Sequence, residues 1–306
     1  MRELVVLGTA SQAPTRYRNH NGYLLLWDGA GILFDPGEGT QRQMALAGVS
    51  ASTITHICIT HFHGDHCLGL PGVLQRLSLD RVQHPIEVVY PESGQQYLDR
   101  LRHASVYDDQ VTVSERPVRS SGSVLRGDGF ELSAIRLDHQ PETFGYRLVE
   151  DARRQMLASE LARLSISGPL VGRLIEDGAI VVNGRTIGLE DVSVERKPQV
   201  VAFVMDTGLC EGAAQLAMGA DLLICEATFG SADTEIAREY HHLTSVQAAA
   251  LARDAGVQLV VLTHFSQRYK DNEELIAEAR AVFPNLLGAV DLMRVPVPKR
   301  RQPSEA

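Results

Sequence analysis

Residues 61–66 read His61-Phe62-His63-Gly64-Asp65-His66 and follow directly on the β-rich, apolar run Ile54-Thr55-His56-Ile57-Cys58-Ile59-Thr60. Three imidazoles and a carboxylate within six residues supply the nitrogen and oxygen donors that suit zinc, and that manganese or iron also accept. So many polar donors beside an apolar strand would otherwise each need a separate partner. Gly64 lets the backbone bend where side chains have to converge. The motif therefore calls for a sheet whose strand ends meet around a metal, because strand-end loops are where such groups are held.

The same pattern recurs downstream. Leu132–Leu137 leads into Asp138-His139, Val200–Met205 into Asp206-Thr207-Gly208, and Leu259–Thr263 into His264. His61, His63, Asp65, His66, His139, Asp206 and His264 are too many donors for one tetrahedral zinc, so two metals fit better. Between these strands, helices are expected around Thr40–Ala47, Leu68–Leu79, Ser93–Ala104, Glu211–Met218 and Ser245–Ala255. The fold class is α/β. His20, His56, His84, His103 and His241 lie outside any ligand spacing and read as structural.

Further segments carry a resemblance. Leu7-Gly8-Thr9-Ala10, Phe34-Asp35-Pro36-Gly37-Glu38-Gly39-Thr40-Gln41, Glu226-Ala227-Thr228-Phe229, His242-Leu243-Thr244 and Thr263-His264-Phe265-Ser266-Gln267-Arg268-Tyr269 join the hexapeptide in resembling the metallo-β-lactamase superfamily. Within it, the Glu-Gly-Thr-Gln loop, the His-Leu-Thr segment and the Ser-Gln-Arg-Tyr tail resemble the short form of the ribonuclease Z family, the tRNA 3′-processing endoribonucleases. The resemblance spans nearly the whole chain. It implies a four-layer α/β/β/α sandwich over residues 1–306, with metals at one edge between two sheets and an inserted arm, the exosite, at residues 151–197. It further implies two zinc ions per subunit, one held by His61, His63 and His139 and the other by Asp65, His66 and His264, with Asp206 bridging.

A carboxylate suits the bridging place because its two oxygens can each approach a cation. The implied reaction removes the 3′ trailer of precursor tRNA by attack of a metal-activated water on phosphorus, leaving a 3′-hydroxyl on the tRNA and a 5′-phosphate on the trailer. Asp65 is the implied general base as well as a ligand. His242, before an alanine-rich helical stretch, is the candidate acid for the leaving ribose oxygen; a nearby carboxylate would have to counter the helix N-terminal charge that disfavours imidazolium, and the resemblance implies Glu226 as that partner. A homodimer is the expected assembly.

The net charge of −9 runs against RNA binding, which ordinarily needs a basic face. Several of the acids are candidate ligands, and a local patch can attract RNA from an acidic body. Arg268 and Tyr269, followed by Lys270, are close enough to His264 in sequence to reach a substrate phosphate, and the Arg fork matches phosphate oxygens. Arg16, Arg18 and Asn19 are weaker candidates, and Lys299-Arg300-Arg301 reads as a solvated end. In residues 151–197, seven cations (Arg153, Arg154, Arg163, Arg173, Arg185, Arg196, Lys197) face seven acids (Asp151, Glu160, Glu176, Asp177, Glu190, Asp191, Glu195), so the segment is neutral. Arg153, Arg154, Arg173 and Arg185 are its candidate phosphate contacts. Gly168-Pro169 marks a turn beside them, and Asn183-Gly184 between β-rich runs is a hairpin signal, so a helical start and a small two-stranded arm are expected.

No stretch is long and apolar enough to span a membrane, and a strand begins within three residues of the start, so a cytoplasmic protein is expected. Cys58, Cys67, Cys210 and Cys225 form no Cys-x-x-Cys pair and read as reduced thiols; Cys67, beside the hexapeptide, is surplus to the ligand set. Two competing classes share the motif. Another dinuclear-metal hydrolase, acting on a small phosphodiester, lactone or thioester, would need neither the arm nor His242; an inactive binding protein of the same fold would hold no tightly bound metal.

Overall fold

The computed structural model describes residues 2–300; Arg301 of the terminal basic cluster lies outside them. The chain divides into two compact units, one running to Val149 and resuming over Gln199–Lys299, the other comprising Glu150–Pro198 with Arg300.

The larger unit holds two seven-stranded sheets, with strands numbered along the chain. The first contains β1 (Arg2–Gly8), β2 (Gly22–Trp27), β3 (Ala30–Phe34), β4 (His56–Cys58), β5 (Ile86–Pro91), β6 (Val113–Val118) and β18 (Arg294–Pro296), in the order β18-β1-β2-β3-β4-β5-β6. The second contains β7 (Gly122–Gly127), β8 (Phe130–Arg136), β9 (Phe144–Glu150), β14 (Val200–Val204), β15 (Leu222–Glu226), β16 (Leu259–Thr263) and β17 (Leu286–Gly288), in the order β17-β16-β15-β14-β9-β8-β7.

Alternation along the strands builds three apolar layers. Leu4, Val6, Tyr23, Leu25 and Phe34 from the first sheet meet Phe130, Phe144, Tyr146, Phe203 and Ile224 from the second. Val5, Leu7, Leu24 and Leu33 turn to the opposite face, where they pack with Met44 of α1 (Thr40–Leu46) and Leu70, Val73, Leu74 and Leu77 of α3 (Leu70–Leu79). Ala202, Val204, Leu223, Val260 and Leu262 likewise pack on α7 (Glu211–Ala217), α9 (Ser245–Asp254) and α10 (Glu273–Val282). Strands covered on both faces read as continuous apolar runs, which is why Val200–Met205 and Leu259–Thr263 are legible as strands. The result is the four-layer α/β/β/α sandwich.

Helices stand within two or three residues of all five expected places, α4 (Gln95–Arg102) included. The one-turn α2 (Gly64–Cys67), α8 (Thr234–Glu239) and α10 were not anticipated. Strand direction matters for the site: β3, β4 and β5 run parallel, as do β14, β15, β16 and β17, so their carboxyl ends open at common sheet edges. In open α/β sheets such edges collect ligands. Among the described residues no helix is long and apolar enough to cross a membrane.

The smaller unit has a core of its own, made by Ile166, Leu174, Ile180, Ile187 and Val192. It contains α5 (Ala158–Arg163), α6 (Pro169–Asp177) and the hairpin of β11 (Ala179–Val182) with β12 (Arg185–Gly188). Asn183 and Gly184 both take positive φ at the turn, 49° and 78°, as a two-residue type I′ connection requires. A second ladder, β10 (Arg153–Met156) with β13 (Ser193–Arg196), went unseen because neither strand is apolar. Gly168-Pro169 is more than a turn: Gly168, at φ 56°, takes the N-cap place and Pro169 opens α6, where its missing N–H costs nothing.

Candidate metal centre

Each candidate ligand stands at or just beyond the end of an element. His61 and His63 follow β4, Asp65 and His66 lie on α2, His139 is in the loop between β8 and β9, Asp206 follows β14 and His264 follows β16. The structure brings all seven together. His61 Nε2 is 3.0 Å from His63 Nδ1, and His139 Nε2 is 3.5 Å from the same atom. Asp65 Oδ2 lies 3.3 Å from His66 Nε2 and 3.5 Å from His264 Nε2. Asp206 Oδ2 lies between the groups, 3.2 Å from His66 Nε2, 3.3 Å from His264 Nε2 and 3.8 Å from His61 Nε2.

The hydrogen bonds behind the rings set which nitrogen is free. His139 Nδ1 donates to the carbonyl of His241 at 3.1 Å, and a carbonyl only accepts. The Thr228 hydroxyl donates to Glu226 Oε2 at 2.5 Å, so at 2.7 Å it accepts from His264 Nδ1. Thr60 Oγ1 donates to Asp35 Oδ2 at 2.8 Å and accepts from His61 Nδ1 at 3.0 Å. His66 Nδ1 donates to Asp35 Oδ2 at 2.8 Å. In all four rings Nδ1 is taken from behind and Nε2 is aimed at the convergence points, the arrangement by which outer partners orient metal-binding imidazoles. Asp206 Oδ1 and His264 Nε2 are buried and have no hydrogen-bond partner among the described residues, an expensive condition that a bound cation relieves. The donor set fits two cations.

Electrostatics agrees. Burial holds His61 well below the ordinary imidazole range and also lowers His63 and His139, so these rings are neutral and able to ligate. Burial would lower His66 too, but Asp206, Asp65 and Asp35 raise it well above its usual range. The anionic surround that keeps a proton there would also favour a dication. Burial pushes the Cys67 thiol up to about 12, and Sγ faces the His63 carbonyl at 3.1 Å, so it is not a thiolate ligand.

His242 lies two residues before Thr244, the capping residue of α9, and its Nδ1 is 3.0 Å from Glu226 Oε1. Glu226 is fully buried and also accepts from the Thr207 and Leu243 amides at 2.6 and 3.1 Å. Burial opposes the imidazolium, but Glu226, with Asp206, overcomes it and raises His242 to about 9. The His242 ring lies 5.0 Å from that of His139 and 5.5 Å from that of His264, and it lines the same cavity, about 750 Å³ in volume.

Asp35, Thr60 and Thr228 are the groups that sequence reasoning passed over. Asp35 had a signal, an Asp-Pro-Gly run at the exit of a strand, whereas Thr60 had only its adjacency to His61 and Thr228 only its place in the Glu226-Ala227-Thr228-Phe229 segment. Asp35, His241 and His264 all hold positive φ, at 45°, 54° and 61°, unusual backbone that concentrates where side chains or carbonyls have to be aimed.

Among the candidate substrate contacts, Arg268 is exposed at the cavity rim, while the Tyr269 hydroxyl is taken up by Asp233 and the Gly230 amide. Arg18 is committed to the loop after His264, donating to the Tyr269 carbonyl at 2.6 Å and to Asn272 Oδ1 at 2.5 Å. In the smaller unit Gly168, Pro169, Arg173 and Arg185 are exposed. Arg153 is exposed beside Glu150, at 3.8 Å, and Arg154 donates to Ser193 Oγ at 2.7 Å.

Residues 15–148 match the family model of the metallo-β-lactamase superfamily. The chain is 55% identical over 302 residues to ribonuclease Z of Nocardia farcinica, covering 98% of this chain and 99% of that one. It is 56% identical over 302 residues to ribonuclease Z of Streptomyces avermitilis, with the same coverage. Among solved structures, human tRNase Z, short form, superposes with a TM-score of 0.71 at 26% identity, covering 97% of this chain and 100% of that chain.

Proposed function

The chain belongs to the ribonuclease Z family of the metallo-β-lactamase superfamily, and from this we propose that it removes the 3′ trailer of precursor tRNA at a pair of zinc ions. As a member of that family it is a tRNA endonuclease. The observation that carries the reading is the convergence of His61, His63 and His139 beside Asp65, His66 and His264, with Asp206 between them and an unpartnered, buried oxygen on Asp206. Manganese or iron could occupy the same nitrogen and oxygen donors.

In this scheme His61, His63 and His139 would hold one ion and Asp65, His66 and His264 the other, with Asp206 within reach of both sets. When bound, the ions supply Lewis-acid stabilisation of charge on the attacking and leaving oxygens. Asp65, one of the residues that would hold an ion, takes the attacking water's proton on its carboxylate; surrounded by His66 and His264, which outweigh its burial, it stays ionised to well below the usual carboxylate range. His242, protonated through its bond to Glu226, gives its Nε2 proton to the departing ribose oxygen, which leaves as the tRNA 3′-hydroxyl. Glu226 remains ionised: burial raises it, but His242 outweighs that.

Arg268 meets a substrate phosphate near the reaction, with Tyr269 shaping its turn. Residues 151–197 form the exosite arm, where Arg153, Arg154, Arg173 and Arg185, beside Gly168 and Pro169, contact tRNA away from the cut. The active form is a homodimer in the cytoplasm. A neutral arm supports this role better than the rest of an acidic chain would, since it repels RNA less.

The test is cleavage of a 3′-extended precursor tRNA and of a small phosphodiester, side by side, by the intact chain and by Asp65→Ala. A cut next to the discriminator base, lost in Asp65→Ala, is the expected result. Hydrolysis of the small ester alone would reassign the site to another dinuclear hydrolase. Deletion of residues 151–197 should weaken tRNA cleavage and spare the small ester.

A further inference from the structure

Asp233 takes the N-cap place of α8, where an aspartate ordinarily accepts from the helix's first free amides, yet its side chain makes no capping bond. Its two oxygens are used elsewhere. Oδ1 accepts from Arg268 Nη1 at 3.0 Å, and Oδ2 accepts from the Tyr269 hydroxyl, which itself accepts from the Gly230 amide at 2.8 Å. The Arg268 guanidinium also lies 5.6 Å from the centre of the Phe229 ring, within cation–π range. One carboxylate thus ties two consecutive residues of the turn after His264 to the start of α8, and both Arg268 and Phe229 line the metal cavity.

We propose that Asp233 is a positioning residue for RNA: it holds the Arg268 fork ready at the cavity rim, so that a substrate phosphate meets an arginine already in place. The inference rests on the tRNA reading above. A long side chain on an exposed turn otherwise loses rotamer freedom on binding, and a fork held beforehand loses less. Asp233 uses one of the five guanidinium N–H groups, which leaves others for phosphate.

A carboxylate beside a phosphate site also repels the phosphate, and this opposite effect makes the proposal testable by sign. If pre-organisation dominates, Asp233→Ala raises KM for precursor tRNA about ten-fold. Its kcat should change less than about two-fold, with metal content per chain unaltered. Asp233→Asn keeps an oxygen for Arg268 and removes the charge, and should recover KM to within about three-fold of the intact chain. In an Arg268→Ala background, Asp233→Ala should add nothing. If repulsion dominates, both Asp233 variants lower KM, and the proposal is overturned. An unchanged KM, or a joint loss of kcat and metal, overturns it as well. An intact chain that fails to cut precursor tRNA at all would instead refute the functional reading, and this inference with it.

Discussion

His61, His63 and His139 meet as three imidazoles that burial keeps neutral, with His63 and His139 partly open to solvent. Asp65, His66 and His264 are all buried, deeper in the same cavity, and His66 there has Asp35 behind it and Asp65 and Asp206 in front. Both clusters offer nitrogen donors of the same kind. They differ in what stands behind the donors and in how much water reaches them. A dication entering the first meets chiefly Asp206 as a carboxylate, whereas one entering the second meets Asp65 and Asp206, with Asp35 behind His66, in a low dielectric. The comparison teaches that ligand identity alone does not rank two sites: the recess should hold its ion more tightly, and a chelator should strip the open cluster first.

The largest effect is expected where the two clusters meet. Asp206→Ala removes a carboxylate within reach of both, so metal analysis should find both ions lost. Cleavage should fall by more than the roughly 10- to 100-fold that loss of an outer partner typically costs. Retention of either ion at full occupancy would mean that Asp206 serves one cluster alone.

Asp35→Asn sharpens the comparison. It removes the charge behind His66 while leaving an acceptor in place, and should weaken the recess by about 10- to 100-fold; the open cluster, which Asp35 reaches only through Thr60 and His61, should change less. The order in which a chelator strips the two ions should then become less distinct or reverse. An unaltered two-step release, followed by metal content against chelator concentration, would break the electrostatic distinction drawn here.

The remaining effect is on stability rather than on cleavage or metal content, and concerns the His242–Glu226 pair. His242 is raised from 6.5 to about 9, so its contribution to folding is complete below pH 6.5 and is lost as pH rises through about 9. The metal-free protein should therefore lose on the order of 3 kcal/mol across that window. His242→Asn should flatten that part of the stability profile in denaturant titrations, and an identical profile would show that the pair adds nothing to folding. Glu226→Gln should move the basic limb of the kcat profile to lower pH, because the imidazolium loses its main support.

Much of this was readable along the chain. Apolar runs covered on both faces announced the strands, and the donors at their ends announced the ligands, because a strand's length and exit are local properties. The β10–β13 ladder was hidden by its composition, Arg153-Arg154-Gln155-Met156 against Ser193-Val194-Glu195-Arg196, which offers no apolar face to detect. The short α8 and the more distant α10 were missed in a region read mainly for its ligands. Asp233 looks like an ordinary helix cap until the turn at Arg268 is seen against it, 35 residues away along the chain.

The sequence by itself determined the α/β class and the candidate donors, which depend on residue types at short spacing, and its motifs carried the resemblance to the family that implied the sandwich. Only the tertiary structure decided which nitrogen each histidine presents, because that depends on Asp35, Thr60, Thr228 and the His241 carbonyl reaching each ring from behind. It also decided that Asp206 lies between the clusters and that His242 stands against Glu226. These facts belong to distance and direction between strand ends far apart in the chain, which local pattern does not encode.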